Sequence, residues 1–274
     1  MKDQPLVLIK YGGNAMLNES LKQAVINNIK RLQEAGYRTV LVHGGGPFIK
    51  NMLELVKIES EFIDGHRKTT PEALKYIEMA LKGEVNGSLV NLLNRAGIRA
   101  VGLSGKDGRM VLARKRYHQK EVDGKTEKYD LGQVGDVVAV DTKLLDSLLD
   151  QHFLPVVTCI ASDEAGNDYN VNADMFAGAL AGALAADHYL VLTDVDGLLR
   201  DINDPSSLIE ELRVAELSGL MGGVIKGGMI PKLESCQVAL DQGAKTARII
   251  NGTKPDSIHD AVVSDKIIGT KICL

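Results

Sequence analysis

The segment Thr39-Val40-Leu41-Val42-His43-Gly44-Gly45-Gly46-Pro47 runs from a β-branched and leucine stretch straight into three glycines and a proline. Its apolar residues have no helical period, so Thr39–Val42 predicts a buried strand, and the glycines predict a turn into a helix reaching about Val56. The same grammar opens the chain, where the strand Leu6–Ile9 ends in Lys10-Tyr11-Gly12-Gly13-Asn14. It recurs where Ala100–Leu103 ends in Ser104-Gly105-Lys106-Asp107-Gly108. Ligands of open α/β sheets sit at the carboxyl ends of strands. Glycine turns there expose backbone N–H groups, and a following helix N-terminus adds a positive dipole end. One Gly-Gly turn is explained by a need for positive φ alone; three at strand ends predict an anion site. No GxxxxGK[ST] or GxGxxG is present, which argues against a Walker loop and a dinucleotide-binding Rossmann unit.

Strand and helix patterns alternate outward from these turns. Helical spacing marks Glu19–Ala35, Glu72–Ala96 (interrupted by Gly83 and Gly87), Thr142–Asp150, Asn172–Ala186 and Met229–Gln242. Strand patterns mark Leu154–Ile160, His188–Thr193 and Ala247–Ile250. Such alternation predicts an α/β fold around a mainly parallel sheet shared by both halves of the chain. Lys106–Val140, with its Asp123-Gly124 pair, and Ser162–Val171 break the pattern and read as β-hairpins appended to the sheet.

Lysine and arginine total 32 against 36 acidic residues, a net charge of −4, so no basic surplus supports nucleic-acid or membrane binding. The balance suits a locally positive cleft for a small anion. Three cysteines without a CxxC point away from a disulfide framework and towards a reducing compartment. The apolar stretch Phe176–Ala186 is too short to span a bilayer, and no leader pattern opens the chain, so a cytoplasmic protein is expected. Lys10 closes the first strand. Lys232 lies in the opening turn of a helix after Gly227-Gly228, an unfavourable place for a cation unless an anion is near. Asp174 lies in the opening turn of another helix.

The ordered strings Lys10-Tyr11-Gly12-Gly13, His43-Gly44-Gly45-Gly46-Pro47, Asp64-Gly65-His66-Arg67-Lys68-Thr69-Thr70 and Gly102-Leu103-Ser104-Gly105-Lys106-Asp107-Gly108 resemble the amino acid kinase family. Asn170-Val171-Asn172-Ala173-Asp174, Thr193-Asp194-Val195-Asp196-Gly197 and Gly227-Gly228-Met229-Ile230-Pro231-Lys232 extend the resemblance, which reaches the Ile268-Gly269-Thr270 region. It implies an αβα three-layer sandwich around a mainly parallel open sheet. It also implies an acidic-substrate lobe at 1–175 on the dimer side and an ATP lobe at 176–274. The branch resembled phosphorylates the side-chain carboxylate of N-acetylglutamate in arginine biosynthesis.

By that resemblance Lys10 and Lys232 flank the transferring phosphoryl group and Asp174 holds them. Gly45 and Gly46 bind substrate carboxylate or phosphoryl oxygens through their N–H groups, Arg67 pairs with the α-carboxylate, and Asn170 hydrogen-bonds the substrate. Gly12, Gly13, Thr193, Asp194 and Met229 belong to the nucleotide, with Met229 near the purine. Tyr11 departs from the commonest pattern, where a smaller residue is frequent. His43 is expected to be structural. ATP and Mg²⁺ are implied, the ion held mainly by phosphates, with no protein ligand assigned. An acceptor one methylene longer, acetylaminoadipate, stays open, since a methylene changes discrimination by only about 1–3 kcal/mol. A catalytically inactive sensor is disfavoured by Lys10, Asp174 and Lys232 together, a uridylate acceptor by Arg67 and Asn170, and an aspartate kinase by the want of a C-terminal extension. With about five residues before the first strand, the extra N-terminal helix of arginine-inhibited, hexameric members is not expected. A homodimer insensitive to arginine is, with Leu74, Ile77, Leu81, Val85, Leu89 and Leu92 as candidate dimer-face residues.

Overall fold

The computed structural model describes residues 4–63, 66–122, 125–201, 203–220, 225–264 and 266–274. Asp64-Gly65 and the Asp123-Gly124 pair lie outside the described residues. From the amino end the chain forms β1 (Leu6–Tyr11), α1 (Glu19–Glu34), β2 (Arg38–His43), α2 (Gly46–Leu55) and a small ribbon of β3 (Phe62–Ile63) and β4 (His66–Arg67). α3 (Pro71–Glu78) continues through a π-helical stretch, Met79–Asn86, into α4 (Gly87–Arg95) and then β5 (Ala100–Ser104). The long strands β6 (Val111–Val122) and β7 (Lys125–Val140) precede α5 (Lys143–Asp150), β8 (Leu154–Thr158), β9 (Ile160–Ser162), β10 (Asp168–Val171) and α6 (Ala173–Ala183). The remainder adds β11 (His188–Thr193), β12 (Glu211–Arg213), α7 (Leu217–Leu220), α8 (Met229–Asp241), β13 (Ala247–Asn251), α9 (Ser257–Val263) and β14 (Thr270–Cys273).

Eight strands form one sheet in the order β12-β14-β13-β11-β1-β2-β8-β5, parallel except for the β13–β14 pair. All six residues of β1 are buried, as expected of a central strand covered on both faces. One apolar layer joins Leu6 and Leu8 to α2, α3, α5, α6 and α8 through Leu53, Ile77, Leu145, Phe176 and Leu233. The other joins Val7, Ile9 and Tyr11 to α1, α4 and α9 through Ile29, Leu93 and Ile258. The result is the mainly parallel α/β sheet that the alternation predicts, in the three-layer αβα sandwich that the resemblance implies.

The hairpins do not extend this sheet. β6, β7, β9 and β10 close on one another as a small barrel, with β10 parallel to β7 and antiparallel to β9. The edge strand β12 and its neighbour β14 belong to no predicted element. The Glu72–Ala96 region runs through its glycines without a break, its turns widening to π geometry. Leu74, Ile77, Leu81, Val85 and Leu89 are buried in the chain's own core, and Leu92 packs against it partly buried, so these side chains offer no dimer face.

Candidate active site

β1 and β11 are parallel neighbours from which the chain winds in opposite directions, β1 leading to β2 and β11 to β13. Such a reversal opens a crevice at the carboxyl ends of the two strands. Lys10, Gly12, Gly13, Leu192, Thr193, Asp194 and Lys232 line a cleft there. Strand alternation decides which side chain of β1 enters it. Val7, Ile9 and Tyr11 point into the α1 layer, so Lys10 points to the opposite face, towards α6.

On that face the Lys10 ammonium lies 2.9 Å from Asp174 Oδ1. Asp174 sits in the first turn of α6, whose cap is Asn172. The Asn172 Oδ1 accepts from the N–H groups of Asp174 and Met175 at 2.9 and 3.2 Å. Lys232, from the first turn of α8, brings its Nζ to 3.2 and 3.4 Å from the two Asp174 oxygens. All three side chains are largely buried. Burial pushes the Asp174 carboxyl up, but the two ammonium groups outweigh it and hold the pKa below the ordinary value. Burial and the neighbouring Lys10 charge lower the pKa of Lys232, against the pull of Asp174. Two ammonium groups and one carboxylate leave a buried surplus of positive charge, which an incoming anion offsets.

The triple-glycine turn follows β2, next to the Lys10 turn, and the Gly44 N–H donates to the Tyr11 carbonyl at 3.2 Å. Gly45 caps α2 and Gly46 begins it. The N–H groups of Gly45 and Gly46 make no hydrogen bond among the described residues, as expected of a helix N-terminus, so both are free to receive an anion. Asn170 lies on β10, paired with Val134 and Ile160, two residues before the α6 cap. Arg67 is not gathered with the lysines. Its guanidinium bonds Ser60 Oγ and stacks 4.6 Å from the Phe62 ring centre, lining a separate open cavity with Lys50, Glu54 and Lys57. Met229 opens α8 half-buried against the core and does not line the cleft. The third glycine turn is a clasp rather than an anion cradle. Asp107 accepts from the Ser104 N–H at 2.6 Å and from Lys82 at 3.0 Å, and Lys106 pairs with Glu78 and Asp168 at 2.8 and 2.7 Å. Its charges are spent within the chain.

A family model described as the amino acid kinase family matches residues 5–251. The chain belongs to the amino acid kinase family. It is similar to the acetylglutamate kinase of Heliobacterium modesticaldum, at 46% identity over 97% of this chain and 91% of that protein. The acetylglutamate kinase of Methanocaldococcus jannaschii is 44% identical over 97% of this chain and 90% of its own length. Among solved structures, N-acetylglutamate synthase from Neisseria gonorrhoeae superposes with a TM-score of 0.81 at 21% identity, covering 98% of this chain and 59% of that one, which shows a shared fold.

In this member of the amino acid kinase family two groups of supporting residues escaped the sequence reading. Asn172 is one, although an asparagine two residues before a helix acid is a readable cap signal. The other is a buried hydroxyl pair behind the triad. Tyr189 Oη donates to the Asp174 carbonyl at 3.3 Å and lies 3.1 Å from Ser235 Oγ, which donates to the Lys232 carbonyl at 2.7 Å. The pair ties the first turns of α6 and α8 together from below. No local pattern announces it, since it joins residues from three elements.

Proposed function

We propose that the chain transfers the γ-phosphoryl group of ATP to the side-chain carboxylate of N-acetylglutamate, giving N-acetylglutamyl 5-phosphate and ADP. The observation that carries this reading is the pair of lysines sharing Asp174 at the mouth of the β1/β11 crevice, beside two unused glycine N–H groups. Its near-full-length likeness to acetylglutamate kinases supplies the acceptor. In the transfer a carboxylate oxygen forms a bond to Pγ while the bond from Pγ to the β–γ bridging oxygen breaks. A carboxylate with a pKa of about 4.3 is ionised at neutral pH, so no general base is needed. The difficulty is repulsion between two anions, and Lys10, Lys232 and the N–H groups of Gly45 and Gly46 offset it. Asp174 keeps both ammonium groups aimed at the transferring group.

Gly12, Gly13, Thr193 and Asp194 hold the nucleotide in this reading, with Met229 towards the purine, in a lobe formed by 176–274. Asn170 and Arg67 hold the acidic substrate in the lobe 1–175, which requires Arg67 to leave Ser60. Among the described residues no group of three His, Cys, Asp or Glu side chains is placed to hold a metal, and the polar side chains lining the cleft are those of Lys10, Lys232, Thr193 and Asp194. In this reading Mg²⁺ would enter on the nucleotide, held mainly by phosphate and water oxygens, and would neutralise phosphate charge. The proposal places the enzyme in the cytoplasm; among the described residues no helix is long and apolar enough to cross a membrane. A homodimer completes the proposal, supported by the exposed apolar side chains of Leu55, Phe62 and Met79.

The test is an ATP-dependent assay with hydroxylamine trapping of acyl phosphate across acetylglutamate, glutamate, aspartate and acetylaminoadipate. Acetylglutamate should be strongly preferred to glutamate, because a free α-ammonium would be buried where an acetamide makes hydrogen bonds. Preference for acetylaminoadipate, or nucleotide binding without turnover, would overturn the reading. Light scattering tests the dimer.

A further inference from the structure

We propose that His43 and Asn86 form a positioning pair that aims the Gly45 N–H at the transferring phosphoryl group, an inference that rests on the proposed phosphoryl-transfer reading of the site. His43 ends β2 and is fully buried. It shares a register position with Tyr11 on β1, so its ring lies on the α1 face of the sheet, opposite Lys10. On that face its Nδ1 lies 2.8 Å from the Gly44 carbonyl oxygen, and its Nε2 lies 2.9 Å from Asn86 Nδ2.

The bonding partners fix the proton positions along this chain of bonds. Asn86 Nδ2 also reaches the Val156 carbonyl at 2.9 Å. A carbonyl only accepts, so that end of the carboxamide is its NH₂ group. The NH₂ group donates to His43 Nε2, which must then be unprotonated, and the single ring proton of the neutral imidazole lies on Nδ1. Nδ1–H donates to the Gly44 oxygen. Burial, with Lys82 adding to it, lowers the His43 pKa to about 4, which keeps the ring neutral. Asn86 comes from the π-helical stretch. The room for its carboxamide comes from Gly102, where a Cβ would lie 2.0 Å from Asn86 Oδ1.

The consequence falls on the next peptide. Among the described residues no peptide bond is cis, so the Gly45 N–H points opposite to the Gly44 carbonyl. A carbonyl drawn towards His43 on the α1 face therefore turns the Gly45 N–H to the other face, where Lys10 and Asp174 lie. The peptides on either side are held by the backbone, through Gly44 N–H to the Tyr11 carbonyl at 3.2 Å and Ile49 N–H to the Gly45 carbonyl at 2.9 Å. The Gly44–Gly45 peptide between them, with no side chain on either residue, has its carbonyl held by His43. His43 and Asn86 touch neither substrate nor nucleotide; they choose which face of the sheet the donor serves.

The experiment compares His43→Leu, His43→Asn and Asn86→Leu with the unaltered chain, each assayed well below its own Tm. A donor misplaced by about an ångström costs on the order of 10²-fold in rate, so His43→Leu and Asn86→Leu should lose about that much kcat with little change in the KM for ATP. Asparagine places an NH₂ group near the Nδ1 position, so His43→Asn should regain most of the kcat that His43→Leu loses. The proposal is overturned if the leucine variants keep their kcat, or if His43→Asn and His43→Leu lose equally. Nitrogen NMR of the His43 ring in the unaltered chain tests the same geometry even where a variant does not fold. The expected species is the neutral Nδ1–H tautomer, and an Nε2–H tautomer or an imidazolium at neutral pH overturns the proposal. An unaltered chain without acyl-phosphate turnover would defeat the kinase reading, a result distinct from any of these ratios.

Discussion

Lys10 and Lys232 share one carboxylate, yet they reach it from different elements, and each is expected to matter chiefly when charge spreads over the transferring group. Lys10→Ala should lower kcat by about 10²–10³-fold, the cost of one lost preorganised donor, with a smaller effect on ATP binding. Steady-state kinetics with a separate nucleotide titration would check this, and a near-normal kcat would make Lys10 a binding residue only. Lys10→Arg should fail as well, since a planar fork does not replace a compact ammonium in a buried cleft. His43 gives a second prediction at this scale. Its folded pKa of about 4 lies below the ordinary 6.5, so between those values the unfolded chain binds more protons than the folded one. Its contribution is complete above pH 6.5 and is lost as pH falls towards 4, amounting to roughly 3 kcal/mol. His188, half-buried and also lowered by burial, adds in the same direction. Asp174, held below its ordinary value, gives up its share only at lower pH. Denaturant unfolding across this range should show a gentler acid slope for His43→Asn than for the unaltered chain; equal slopes would mean that His43 is protonated in the fold.

Helices α6 and α8 carry Asp174 and Lys232, and their crossing sets the distance between those side chains. At the crossing, a Cβ on Gly178 would lie 2.4 Å from the Ser235 carbonyl oxygen. Gly178→Ala must push the helices apart, at a cost of about 1–3 kcal/mol for overpacking. Lys232 should retreat from Asp174 with α8, so kcat should fall together with Tm. A variant with lowered Tm and unchanged kcat would show that the triad adjusts independently of the crossing. The sequence made the helices themselves legible, along with Lys10, Asp174 and the glycine turns, because strand alternation, helical spacing and turn residues are local signals. It did not expose what depends on contact between distant segments. The third glycine turn reads as an anion site until Lys106 and Asp107 find Glu78, Asp168 and Lys82. Strands as short as Glu211–Arg213 and Thr270–Cys273 carry too few residues to show a period, and their apolar members gain meaning only in the sheet, Leu212 beside Ile272 of β14 and Ile272 beside Ala247 of β13. Arg67 was placed on the substrate by its motif, whereas its present partners, Ser60 and Phe62, were visible only in three dimensions.

At the scale of the whole molecule, the proposed acidic-substrate and nucleotide lobes are not separate bodies. Four register pairs join β1 to β11 in the middle of one eight-stranded sheet, and both apolar layers draw on β1, β2 and β11. Separating the lobes would expose the central strands, whose side chains are almost wholly buried. Unfolding of one half should therefore carry the other with it. Calorimetry is expected to show a single transition, and circular dichroism at helix and strand wavelengths should follow it together. The proposed ligands meet at the same β1/β11 seam, so a non-hydrolysable ATP analogue with Mg²⁺ and acetylglutamate should each raise that one transition. Saturation to a hundred times Kd adds about 2.7 kcal/mol for each ligand that binds only the folded chain. Two transitions, with the analogue raising only one, would mean that the halves fold separately and that the seam is a docking contact. In that case the lysine triad, with Lys10 on one side of the seam and Lys232 on the other, would be assembled by ligand binding rather than built into the sheet.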